Sequence, residues 1–244
     1  MRISVELVME VFDLDGESNM SEILKMLKGS SVATVYSLLG ESRVKYLLPG
    51  VKPLKSDMKV VGPAITIKYV SFNEAFRENF SGNAVYDAYD FVRGGEVIVA
   101  ASLGRSDLGV FGDCITFGFK CKGASGIVTD GGVRDSPYIM RLNFPVFAKA
   151  TTPEHIGGEI VPYAANVPIT CAGVYVKPGD IVMGDSDGVI IVPRERAEEL
   201  ALKADEVERK EEAIRSMIAS GISLRDSYPP KPGLLESFLK KCSR

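Results

Sequence analysis

Gly126-Ile-Val-Thr-Asp130-Gly-Gly-Val-Arg134-Asp135-Ser-Pro-Tyr-Ile139 is the stretch whose reading decides the fold. Gly126 to Asp130 reads as a buried strand, because a short apolar, β-branched run bounded by turn residues suits a strand covered on both faces. Gly131-Gly132 then turns the chain toward a helix over Tyr138–Leu142, and Phe144-Pro-Val-Phe-Ala-Lys149 returns as a strand. Upstream, a helix from about Asp113 to Lys122 follows a glycine-rich loop (Gly104, Gly109, Gly112), and Val97-Ile-Val-Ala-Ala-Ser102 is a second all-apolar strand. Val85–Phe91 forms a short helix, and Val60–Val70 is the strand before it. The alternation is β-α-β-α-β, which predicts an α/β fold.

The flanks have a different texture. Gly16 to Asn19 reads as a turn, followed by a helix capped by Ser21, carrying Ile23, Leu24 and Leu27 on one face, and stopped by Gly29. Val32–Leu39 is a second short helix. Residues 159–193 read as several short strands with turns at Lys177–Asp180 and Asp185–Gly188. Pro193 then opens a long charged helix with the stripe Ala197, Leu200, Ala204, Val207, Ile214 and Ile218, ended by Gly221. A last amphipathic piece, Leu234–Leu239, follows the Pro-rich linker at 229–233.

Composition narrows the function classes. The 244 residues carry 45% hydrophobic and 25% charged side chains, the profile of a soluble globular protein. A net charge of -3 offers no basic field for phosphates, so nucleic acid and anionic membranes are poor partners and small molecules better ones. No apolar run is long enough to span a bilayer, and Glu6 and Glu10 interrupt any signal-peptide plan, so the cytoplasm is the expected compartment. The cysteines at 114, 121, 171 and 242 include no CxxC pair, which argues against structural zinc. His155, the only histidine, reads as a loop residue.

The chemistry concentrates at two turns. Asp113 follows Gly112 at the start of a predicted helix, where the amides of Cys114 and Ile115 are unpaired donors suited to a carboxylate. Arg134 and Asp135 follow the strand at 126–130, at its carboxyl end, where open α/β sheets place ligands. One carboxylate from each of two strand-to-helix turns suits Mg²⁺, which takes oxygen ligands and keeps several waters. On spacing alone a helix cap with a surface ion pair is the competing reading.

The wider pattern resembles a known family. The stretch 126–139, Asn143-Phe-Pro-Val-Phe-Ala148, Asn166-Val-Pro-Ile169, Leu48-Pro-Gly-Val-Lys-Pro53 and the run from Val176 to Pro193 are similar to the regulator of ribonuclease activity A and the 4-hydroxy-4-methyl-2-oxoglutarate/4-carboxy-4-hydroxy-2-oxoadipate aldolases. The resemblance runs from about Ser30 to Asp226. It divides the chain into an N-terminal extension (1–29), an aldolase-like domain (30–226) and a C-terminal linker with a short helix (227–244). It implies a phosphohistidine-domain-like swivelling β/β/α fold with a central sheet, helices on its faces and a long C-terminal helix, assembled as a homotrimer or hexamer.

Aldolase members share an Asp-(twenty residues)-Arg-Asp motif that Asp113, Arg134 and Asp135 match. By that match Asp135 is a direct Mg²⁺ or Mn²⁺ ligand, Asp113 holds metal-bound water, and Arg134 contacts the keto-acid end of a 2-oxo acid. Gly112 and the amides of Cys114 and Ile115 take its carboxylate. Glu211, beside Glu212 on the long helix, is the counterpart of a glutamate that reaches in from a neighbouring subunit.

The implied activity is that of a lyase, cleaving 4-hydroxy-2-oxo acids or decarboxylating oxaloacetate through a pyruvate enolate. The alternative is a non-enzymatic, ribonuclease-regulator-like binding module. Phe72–Asn83 looks inserted. Val11-Phe-Asp-Leu-Asp-Gly16 imitates the nucleophile motif of haloacid-dehalogenase phosphatases, with Gly184–Gly188 as a mock acidic loop, but Glu17 stands where that motif needs threonine. A methyltransferase reading lacks the Gly-rich loop it requires.

Overall fold

The computed structural model of the chain describes residues 14–73 and 82–242, and the side chains of 19–73 and 82–238. Two compact units emerge: Ser31–Glu198, and a second that joins the chain up to Ser30 with the chain from Glu199. The grouping differs from a linear division at residues 29 and 226, because a helix joins the residues it packs with, whatever lies beside it in sequence.

The helices are α1 (Leu14–Gly29), α2 (Val32–Leu38), α3 (Ala84–Phe91), α4 (Asp113–Lys122), α5 (Ser136–Arg141), α6 (Ala197–Ala219), α7 (Leu224–Ser227) and α8 (Leu234–Cys242). The strands are β1 (Lys52–Pro53), β2 (Val60–Ser71), β3 (Val97–Ala101), β4 (Gly109–Phe111), β5 (Gly126–Thr129), β6 (Gly132–Val133) and β7 (Val146–Ala148). They continue as β8 (Ala150–Thr151), β9 (Ile160–Ala165), β10 (Ile169–Cys171), β11 (Val174–Val176), β12 (Ile181–Asp185) and β13 (Gly188–Val192).

The central sheet of unit Ser31–Glu198 has eight strands in the order β1-β7-β5-β3-β2-β12-β13, with β9 also on β2. Its middle, β2-β3-β5-β7, is parallel. Register aligns Ile65, Ile98, Ile127 and Val146 across four strands on one face, and Thr66, Val99, Val128 and Phe147 on the other. The first row packs with Ala88 of α3, Phe119 of α4 and Ile139 of α5. On the second face Val99, Val128 and Phe147 meet Leu48, Val51 and the β10–β11 hairpin residues Cys171 and Val176. Both faces are therefore apolar, which is why these strands read as unbroken hydrophobic runs.

Several local readings change. Gly16–Asn19 lies inside α1, and Ser21 is an interior residue of it rather than its cap. Turn propensities weigh less than about 1 kcal/mol per residue, and the helix is anchored by the buried Ile23 and Leu27. The capping serine is Ser31, whose Oγ accepts from the Thr34 amide at 3.0 Å at the start of α2. Pro193 precedes a 3-10 turn, Arg194–Arg196, before the 23-residue α6 begins. In α6 the buried stripe is Ala197, Leu200, Ala201, Ala204, Ala213, Ile214 and Met217, while Ile218 is exposed. Helix α5 begins at Ser136, two residues earlier than its apolar pattern, with Pro137 in its first turn.

The glycine-rich loop and the Gly-Gly turn also contain strands. β4 and β6 pair in parallel, and β6 pairs with β8, forming a separate three-stranded sheet. Strands of two or three residues leave no periodicity to read, so their pairing is decided by tertiary contact.

Candidate active site

The small sheet sets the geometry. β4 runs directly into α4 and β6 into α5, with Phe111 opposite Val133, so the two strand-to-helix turns lie side by side. The Arg134 amide donates to the Phe111 carbonyl at 2.8 Å and locks that alignment. Gly112 is the N-cap of α4, and a Cβ placed on it would lie 3.0 Å from Asp135 Oδ2. The Asp135 carboxylate thus reaches across to the turn that carries Asp113.

Asp135 reaches it through an unusual backbone. It is the N-cap of α5 in the left-handed region, φ 56° and ψ 32°, and its side chain makes no capping hydrogen bond. Such a conformation costs a non-glycine residue about 1–3 kcal/mol, and the carboxylate it carries lies against Gly112 rather than capping its own helix. Asp113 sits in the first turn of α4, and its Oδ1 accepts from the Cys114 amide at 2.8 Å. Of the two amides read as a carboxylate cradle, that of Cys114 is therefore engaged by Asp113 itself.

The two carboxylates report on each other through Cys114. The charge of Asp113, its hydrogen bond, partial desolvation and, least, the charge of Asp135 hold the exposed Cys114 thiol above its ordinary range. Cys121 is exposed as well, whereas Cys171 is fully buried and burial, seconded by the charge of Asp130, pushes its thiol well up.

Arg134 is half-buried, its stem lying across Gly109, where an added Cβ would sit 2.1 Å from Arg134 Cγ. Its Nε is shut off from solvent and meets no acceptor among the described residues. A sequestered donor without a partner costs on the order of 1–3 kcal/mol, and a ligand oxygen would satisfy it. Behind it, the Gly109 amide donates to the Glu154 carbonyl at 2.9 Å, and Gly109 bridges to His155, which zips the 152–158 loop onto β4. His155 itself is exposed, with Nδ1 accepting from the Gly157 amide at 2.8 Å. Gly109 and Glu154 are site-building residues that the sequence reading passed over; the glycine was the only signal.

The donor set fits a particular kind of cation. Among the described residues no three or more His, Cys, Asp or Glu side chains gather closely enough to cage a metal. Carboxylates on two adjoining turns, with a partnerless guanidinium nitrogen on one of them, instead suit a hard ion that keeps most of its water and takes its remaining oxygens from a ligand, as Mg²⁺ does. Thiolate-rich zinc geometry does not fit.

The other residues singled out lie elsewhere. Glu211 and Glu212 are on α6, in the second compact unit, both paired with Arg215 at 3.4 and 3.0 Å. Asp185, in the mock phosphatase loop, is buried in the β12–β13 hairpin and spends its oxygens on the amides of Val32 and Asp187. Val11–Asp13 and most of the inserted-looking stretch, 74–81, fall outside the described residues.

With this geometry in hand, comparison with known proteins is specific. Residues 32–191 match the family model described as "RraA-like: Aldolase/RraA". The chain belongs to the RraA-like family. An uncharacterised protein of Methanocaldococcus jannaschii is 36% identical over 182 residues, 73% of this chain and 83% of that one. A Halalkalibacterium halodurans protein provisionally named 4-hydroxy-4-methyl-2-oxoglutarate aldolase is 34% identical over 185 residues, covering 74% and 82%. Among solved structures, Streptomyces coelicolor RraAS2, described as an unusual member of the RNase ES inhibitor RraA protein family, superposes with a TM-score of 0.73. It shares 34% identity over 80% of this chain and 97% of that one. The RraA-like family thus has both aldolases and RraA proteins in its description, and no helix among the described residues is long and apolar enough to cross a membrane.

Proposed function

We propose that this RraA-like protein is a divalent-metal-dependent lyase of the cytoplasm that releases pyruvate from 4-hydroxy-2-oxo acids such as 4-hydroxy-4-methyl-2-oxoglutarate, and from oxaloacetate. The observation that carries this reading is the pairing of β4 with β6, which sets the Asp113 turn beside the turn of Arg134 and Asp135, with the Asp135 carboxylate against Gly112. Aldol cleavage breaks C3–C4. The electron pair stays on C3 as the enolate of pyruvate, C4 becomes a carbonyl as its hydroxyl proton passes to a base, and C3 then takes up a proton. Decarboxylation of oxaloacetate reaches the same enolate without that base.

The residues divide the work. Arg134 offers Nε and its terminal nitrogens to the keto-acid end, where negative charge grows, and Gly112, Cys114 and Ile115 line the approach of its carboxylate. Asp135 as direct ligand and Asp113 through intervening water would hold Mg²⁺ or Mn²⁺, which when bound supplies a Lewis acid for the same oxygens. Glu211 of a neighbouring subunit, in a homotrimer or hexamer, is the proposed acid-base partner at C4.

The test is pyruvate release, coupled to lactate dehydrogenase, over a panel of 4-hydroxy-2-oxo diacids and oxaloacetate with Mg²⁺ or Mn²⁺. Turnover of at least one acid, lost with chelator, is expected; metal-independent or absent release across the panel sinks the proposal. The similarity to RraAS2 favours the second reading, a protein-binding module without turnover. It is the outcome left if the whole panel is inert.

A further inference from the structure

We propose that Asp130, at the end of β5, is a positioning residue for Arg134, acting through the loop that joins β3 to β4. The kinetic part of this inference rests on the lyase reading above; the structural part stands without it.

Asp130 is 3% exposed, and both its oxygens are spent. Oδ1 accepts from the Ser102 amide at 2.6 Å and from Ser102 Oγ at 2.8 Å, and Oδ2 accepts from the Ala172 amide at 3.0 Å. A buried carboxylate is tolerated only when its lone pairs are met by donors, and these donors come from two loops that adopt costly backbone conformations. Leu103, next to Ser102, has φ 60°, and Ala172 has φ 50°. Neither is glycine. One carboxylate holds both loops at the ends of their strands.

The connection to Arg134 is short and continuous. Ser102 starts the loop whose far end is β4, and the chain after Asp130 runs through Gly131 and Gly132 to Arg134. The two segments are pressed together along their length. A Cβ on Gly131 would lie 2.4 Å from Ser102 Oγ, the Gly132 amide donates to the Leu108 carbonyl at 3.0 Å, and Gly109 abuts the Arg134 stem. Releasing Ser102 therefore loosens one end of the segment against which the Arg134 stem is braced, while its other end stays tied to Glu154. Among the described residues Arg134 Nε has no hydrogen-bond acceptor.

The variants separate this role from a general structural one. Asp130→Ala removes both clamps. Asp130→Asn keeps one acceptor oxygen for Ser102 and gives up the Ala172 bond, so it should retain the Arg134 geometry. Ser102→Ala removes only the hydroxyl donor and is the fallback if Asp130→Ala does not fold. Phenylglyoxal labelling of Arg134, read by peptide mass spectrometry with Arg215 as internal control, should rise about tenfold in Asp130→Ala, less in Ser102→Ala and little in Asp130→Asn.

In kinetics, Asp130→Ala should lower kcat on the order of 10²-fold, the scale of an ångström-level misplacement. Asp130→Asn should recover most of it, and Asp130→Ala added to Arg134→Ala should cost under about threefold more, because the two act as one unit. Unchanged Arg134 labelling, or losses that multiply in the double variant, overturns the inference. If the wild-type chain turns over no acid, the lyase proposal fails and the labelling alone decides this one.

Discussion

The parallel middle of the central sheet and the small sheet follow one another along the chain, β4 after β3, β6 after β5 and β8 after β7, and differ in nearly everything else. The central one is apolar on both faces, aligned over four strands, and carries the core. The small one, β4-β6-β8, uses strands of two or three residues and is threaded with glycines. One stores stability and the other holds geometry. The lesson is that the site was not carved into the core sheet but hung from its strand ends, where left-handed residues and close backbone approaches are tolerated because the core beneath is over-determined.

Substitutions can break that division. The largest expected effect is on the small sheet's guanidinium: Arg134→Ala should reduce kcat/KM for pyruvate release about 10³-fold, the upper scale for a lost charge-stabilising donor, while leaving the thermal midpoint within about 2 °C of wild type. Equal losses in stability and activity would erase the distinction between the sheets. The central sheet should answer oppositely. Ile127→Ala, at a fully buried position, should cost about 2–5 kcal/mol in chemical denaturation yet keep kcat near wild type wherever the protein remains folded.

A matched pair sharpens the contrast further. A Cβ on Gly62 would lie 2.1 Å from the Gly95 carbonyl oxygen; one on Gly109 would lie as close to Arg134 Cγ and only marginally too close, at 2.9 Å, to the Glu154 carbonyl oxygen. Backbone cannot yield cheaply, whereas a side chain can swing. Gly62→Ala should therefore lower stability by roughly 1–3 kcal/mol, and Gly109→Ala should displace Arg134, losing activity on the order of 10²-fold with a smaller change in the denaturation midpoint.

The smallest effect tests the convergence of the carboxylates directly. Both hold the Cys114 thiolate off, so its fraction is lower at a given pH than for an ordinary thiol and grows only as pH rises beyond the usual thiol range. Asp113→Asn removes the larger influence and should shift the pH profile of Cys114 alkylation downward, speeding reaction several-fold at pH 8 in a Cys121→Ser, Cys242→Ser background. Asp135→Asn should do the same more weakly. If only one of the two moves the profile, the carboxylates do not share a site.

The sequence alone determined the central strands and singled out the candidate site residues. Strands at 97–102 and 126–130 were legible because burial on both faces demands unbroken apolar runs, and Asp113, Arg134 and Asp135 stood out because the residues around them match a family pattern. Tertiary structure alone decided the rest. The small sheet was read as loop and turn, since two or three residues carry no period. Gly16 to Asn19 was read as a turn, since local propensity is a weak prior against helix packing.

Most of all, no pattern in the chain announces that Asp135 adopts a left-handed φ, that Gly109 braces Arg134, or that Asp130 ties Ser102 to Ala172. Each depends on atoms brought together from distant positions in sequence. A composition or a spacing records which groups are available; only the packed backbone decides which of them face one another, because that choice is made by steric exclusion and hydrogen-bond satisfaction over the whole sheet.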